Sequence, residues 1–119
     1  MMRSVYAFDV DETLEISGGP VPLALMKALK REGHIVGICG NWYLFVREVG
    51  DWPQFVSFIG PTNGVDKPTF LKEIKAFIEG EYHILVGNEP KDLVAAQAAG
   101  WGFVPEQAYA DVFRDKCAQ

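Results

Sequence analysis

The sequence predicts an α/β domain in which about five parallel strands are covered by helices on both faces. Two observations predict it. Short apolar runs rich in β-branched and aromatic residues recur along the chain without polar alternation, as strands buried on both sides require. Between them lie stretches with apolar residues at helical spacing, joined by short loops, which is the pattern of βαβ units. The chain of 119 residues suits one domain, 1–119, and its 49% apolar content is enough for an ordinary core.

Taken in order, "SVYAFDV" (4–10) reads as the first buried strand and "SGGP" (17–20) as a turn. In "PLALMKALKREG" (22–33), Pro22 suits a first helical turn, while Leu25, Met26 and Leu29 share a face. Gly33 is a natural stop. "HIVGIC" (34–39) is a second strand and "GNWYLFVREVG" (40–50) a short helix. "QFVSFIG" (54–60) reads as a third strand. "DKPTFLKEIKAFIEG" (66–80) is an amphipathic helix with Phe70, Leu71, Ile74, Phe77 and Ile78 on one broad face. "YHILVG" (82–87) is a fourth strand, "PKDLVAAQAAG" (90–100) a helix, "WGFV" (101–104) a fifth strand, and "EQAYADVFRDK" (106–116) a terminal helix. The aromatic stretch 41–58 reads as core, with a surface patch as the alternative.

A formal net charge of −5 argues against a long nucleic acid as partner, although a single terminal phosphate stays open. Cys39 and Cys117 are too few and too distant for a disulfide framework, which points to a reducing compartment. No apolar run approaches bilayer length, and the one after Arg3 is short and ends in acids. The expectation is a cytoplasmic protein with no membrane partner.

In parallel sheets ligands bind beyond the carboxyl ends of the strands, so chemistry is expected just after residues 9, 39, 60 and 87. After the first strand come Asp9 and Asp11, two residues apart and able to converge while Val10 faces away. Two such carboxylates repel unless a cation or a division between acid and base separates them. They can also merely cap loops. A calcium loop beginning at Asp9 would need Gly and Glu where Leu14 and Pro20 stand, and so is excluded.

"FDVDETL" (8–14) resembles the first motif of the haloacid dehalogenase superfamily, D-x-D-x-T at a strand end. "VGICGN" (36–41), "DKPTFL" (66–71) and "LVGNEPKDLVAAQAAGW" (85–101) are similar to its three later motifs, in order and in spacing over nearly the whole chain. The resemblance implies a Rossmann-like three-layer sandwich without a cap domain, since ordinary elements fill the intervals where caps insert. It departs from the pattern twice: Cys39 stands where Ser or Thr is usual, and Asn88 where an aspartate is usual, while Asp92 keeps the second acidic position.

What the resemblance implies is a Mg²⁺-dependent phosphomonoester hydrolase. Asp9 would be the nucleophile, Asp11 the acid and base, and Lys67 the cation that neutralises phosphate. Val10, Cys39, Gly40, Asn41 and Lys67 would surround the phosphate, and Thr13 would brace the loop. Asp9, Asp11, Asn88 and Asp92 would hold the metal, more weakly with Asn88 than with an aspartate there. Substrates would be small-molecule or macromolecular phosphomonoesters, reached through an open site or one covered by a second copy in a homo-oligomer.

The alternatives differ in kind. A cysteine phosphatase needs arginine six residues after Cys39, where Phe45 stands, and a receiver domain needs an aspartate after the third strand, where "FIGPTNG" has none. The metal-free dehalogenase branch has no use for an acid at Asp11. A non-catalytic domain of the same fold, binding a partner or a phosphorylated ligand, is the remaining rival.

Overall fold

Five strands hydrogen-bond into one all-parallel sheet in the order β3-β2-β1-β4-β5. They are β1 (Val5–Phe8), β2 (Ile35–Cys39), β3 (Phe58–Gly60), β4 (His83–Gly87) and β5 (Gly102–Pro105). The computed structural model describes residues 3–117, and side chains as far as Asp115. The expected reading of Cys117 therefore lies outside the described side chains. Four helices connect the strands: α1 (Leu23–Arg31), α2 (Trp42–Glu48), α3 (Lys67–Phe77) and α4 (Lys91–Ala99). Among the described residues no helix is long and apolar enough to cross a membrane.

Alternation along the strands sorts the core into two layers. Phe8, Val36, Ile38, Val86 and Val104 pack with Leu25, Met26 and Leu29 of α1 and Phe45 of α2. Val5, Ala7, Cys39 and Leu85 pack on the other side with Leu71 of α3 and Ala95, Ala96 and Ala99 of α4. The chain thus builds outward from β1 to β3 with helices on one face, then crosses through α3 to β4 and the other face. That reversal puts a crevice between the carboxyl ends of β1 and β4, where parallel sheets bind ligands.

Three sequence expectations need correction. The third strand is only Phe58–Gly60, because residues 52–54 form a 3₁₀ turn. The amides of Phe55 and Val56 bond back to the Trp52 carbonyl, and pairing with β2 starts only at Ser57. The terminal helix is broken into a 3₁₀ turn (Glu106–Ala108), α5 (Tyr109–Val112) and α6 (Arg114–Cys117). Phe113 leaves helical geometry at the break and is buried against Tyr6. Phe77, expected in the core, is 81% exposed; it lies about 120° around α3 from Leu71 at 100° per residue. The aromatic stretch is mostly core, with Phe45 fully buried and Trp42, Trp52 and Phe55 packed on the same layer. Only Tyr43 stands out into solvent.

Candidate active site

Asp9 extends the series Val5, Ala7 on the α3/α4 side of β1, and its amide still pairs with the Val86 carbonyl at 2.9 Å. The same side receives the first residue of α3 and the first turn of α4. Lys67 Nζ donates to Asp9 Oδ1 at 3.0 Å and to Asp92 Oδ1 at 2.7 Å. Local sequence sets both helix starts. Asp66 caps α3 by accepting the Thr69 amide at 2.9 Å, with Pro68 in the first turn. Asp92 Oδ2 accepts the Asn88 amide at 2.9 Å and so ties α4 to the end of β4. A Cβ at Gly40 would collide with Asp9 Oδ1, and one at Gly87 with Asp92 Oδ2. Glycine at these strand ends lets both carboxylates sit against backbone.

Burial dominates the electrostatics. It pushes the Asp9 carboxyl from its ordinary value of 3.8 up to about 6, with Lys67 opposing the rise and Asp92 adding to it. For Lys67 burial acts downward, but Asp9 and Asp92 outweigh it and hold the ammonium above the usual lysine range. Asp9 therefore stays ionised at neutral pH, and Lys67 stays charged. Burial pushes the Cys39 thiol up to about 12, so it is no nucleophile.

The surrounding cleft, of about 300 Å³, is lined by Asp9, Asp11, Glu12, Lys67, Asn88, Lys91 and Asp92. Asp11 stands at the exposed rim, where its carboxylate accepts Asn41 Nδ2 at 3.1 Å; Asn41 in turn caps α2 through the Leu44 amide. Glu12 holds φ +63°, an uncommon turn for a residue with a side chain, and reverses the chain after Asp11. Five of the expected site residues thus meet in one place. The other four do not line it with side chains. Val10 is buried in the α1/α2 layer, Cys39 is buried beneath the site, and the Gly40 amide is taken by the Gly60 carbonyl at 2.8 Å. Asn41 acts from the rim through Asp11.

Three residues at this end of the sheet were missed: Glu12 and Lys91, which line the cleft, and Glu106. Glu106, just after β5, accepts from Thr13 Oγ1 at 2.7 Å and from Asn88 Nδ2. The signal was available, because Glu106 follows a strand end just as Asp9 and Asn88 do. A larger cavity of about 740 Å³ lies at the opposite, amino end of the strands, lined by residues such as Arg3, Lys75, Tyr82 and His83. Size favours it, but the buried acid pair and its shared lysine are in the smaller cleft, and chemistry decides for the latter.

Among the described residues no three His, Cys, Asp or Glu side chains are grouped to hold a metal by themselves. The donors that are present nevertheless suit a hard cation that keeps much of its water. Thr13 has one hydroxyl hydrogen, and its shortest contact is to Glu106. Asp9 Oδ2 and Asn88 Oδ1 are left with long contacts to the same hydroxyl, 3.4 and 3.5 Å. Both oxygens of Asp92 are already engaged, by Lys67 and by the Asn88 amide.

No protein-family model, curated protein or solved structure matches the chain.

Proposed function

We propose that the chain is a phosphomonoester hydrolase of the haloacid dehalogenase type, a three-layer domain working without a cap. The observation that supports this most is the convergence of Asp9 and Asp92 on Lys67 at the ends of the two central strands, with Asp11 at the rim. In this reading an Asp9 oxygen attacks phosphorus. The bond to the leaving oxygen breaks, and Asp11 gives that oxygen its proton. Water then attacks the aspartyl-phosphate, Asp11 takes a proton from it, and the bond to Asp9 breaks to release inorganic phosphate. Lys67 already sits against Asp9 and offers its ammonium to the phosphoryl oxygens.

Asp9, Asn88 and the Asp11 backbone would hold Mg²⁺, with Asp92 behind them. The ion would supply positive charge that a wall of four carboxylates and two lysines lacks. Open access suits small phosphomonoesters and the phosphorylated ends of larger molecules, or a second copy as cover.

The test is hydrolysis of an aryl phosphate with Mg²⁺. Wild type should turn over, and Asp9→Asn should lose at least ~100-fold in kcat. Equal rates would sink the reading. The non-catalytic alternative draws on Asn88 and on the commitment of both Asp92 oxygens. It predicts no turnover, with binding of a phosphorylated ligand that survives Asp9→Asn.

A further inference from the structure

Glu106 has no task in the reaction just described, yet it is the closest partner of both Thr13 and the Asn88 side chain. An ionised carboxylate only accepts hydrogen bonds, so the group it faces on Asn88 has to be the NH₂. A flipped amide would set two acceptor oxygens against each other. The Asn88 backbone amide is separately fixed by Asp92. The Asn88 carbonyl accepts the Asp92 amide at 2.9 Å, so three of the four polar groups of Asn88 have firm partners. The fourth, Oδ1, has only the long Thr13 contact.

We propose that Glu106 is a positioning residue: its carboxylate fixes the Asn88 amide so that the carbonyl oxygen is the atom presented beside Asp9. Resting on the reading above, this makes Asn88 and Glu106 a matched set, in which the cluster keeps an acidic charge at position 106 while position 88 supplies a neutral oxygen. An aspartate at 88 would abut Glu106 as a like charge. The gain in Mg²⁺ affinity expected of Asn88→Asp is then realised only when position 106 is neutral.

The experiment measures Mg²⁺ affinity by calorimetry and thermal midpoints in metal-free buffer at neutral pH. The variants are Glu106→Ala, Asn88→Asp and the double variant Asn88→Asp/Glu106→Gln. Glu106→Ala should stay folded and bind Mg²⁺ about tenfold more weakly, the usual effect of losing an outer partner of a ligand. Asn88→Asp should lower the midpoint by roughly 5 °C. The double variant should regain it, because a glutamine NH₂ can donate to the new carboxylate, and should bind Mg²⁺ at least as tightly as wild type. The proposal is overturned if Glu106→Ala binds within about twofold of wild type, or if the double variant is as unstable as Asn88→Asp. Should wild type take up no Mg²⁺, the phosphatase reading fails, and the thermal swap alone decides the role of Glu106.

Discussion

Asp9 ends β1 with its carboxylate buried beside a second acid, Asp92, while Lys67 offsets part of the cost. Its folded pKa of about 6 lies above the ordinary 3.8, so between those values the folded chain binds more protons than the unfolded one. The contribution is fully present below the unfolded value and is lost as pH rises through about 6. Lys67 titrates far above this window and adds no slope within it. Metal-free stability should therefore fall across that range by on the order of 3 kcal/mol. Asp9→Asn should flatten the profile and be the more stable protein at neutral pH; denaturant titrations that find it weaker there would refute the account. The pair Asp9 and Asp11 was legible because spacing along one strand end is local information. The place of Glu106 after a strand end was legible too, but its partner was not, since Thr13 is 93 residues away and they meet only through the register of β4, β5 and the loop after β1. Gly40 was expected at the site for its amide, but its role there is different. A glycine reads as a turn, and that it makes room for a carboxylate shows only in three dimensions. Gly40→Ala should cost about 1–3 kcal/mol by overpacking and reduce phosphate turnover, with both changes visible in one preparation.

Helix starts and strand ends carry the site as elements. Lys67 is placed by α3, whose first turn depends on the Asp66 cap and on Pro68. Hydrogen bonding from Thr69 holds the Asp66 carboxyl below the usual carboxylate range, so the cap stabilises above that range and is lost on acidification. Asp66→Ala should lower the thermal midpoint by a few degrees and loosen Lys67, raising KM for an aryl phosphate, while Asp66→Asn keeps most of both. Unchanged KM in the alanine variant would separate the cap from the site. At the far end of the same unit, Trp101 Nε1 bonds the Leu71 carbonyl at 2.9 Å and Gly100 stops α4 in a left-handed turn at φ +74°. These signals were legible: Asp-Lys-Pro before an apolar stripe, and Ala-Gly after one. The misread segments fail for a shared reason. Phe55, Val56 and the chain around Phe113 are apolar because they fill the core, but their amides bond locally, and hydrophobicity alone does not distinguish a strand from a packed turn.

For the whole molecule, alternation of strand and helix was enough to read a covered parallel sheet. It was also enough to point to the carboxyl ends as the place of the candidate cleft, because buried runs and short joints leave few other arrangements. The pairing order β3-β2-β1-β4-β5 follows from side chains on two faces and is what sets β1 and β4 side by side. Charge is the remaining property at this scale. The chain carries −5 overall, and the cleft wall holds more carboxylates than lysines. On the proposed reading a small phosphate dianion would approach against the field of the protein, with the repulsion felt over about 10 Å at 0.1 M ionic strength. At saturating Mg²⁺, raising monovalent salt from low ionic strength should increase kcat/KM for a small anionic phosphomonoester. For a phosphopeptide flanked by lysines the same change should lower kcat/KM, since screening then removes attraction. Opposite slopes for the two substrates place the barrier in the protein's field. Parallel slopes would mean that salt acts on the metal or on the fold, and that the acidity of the cleft is fully neutralised before substrate arrives.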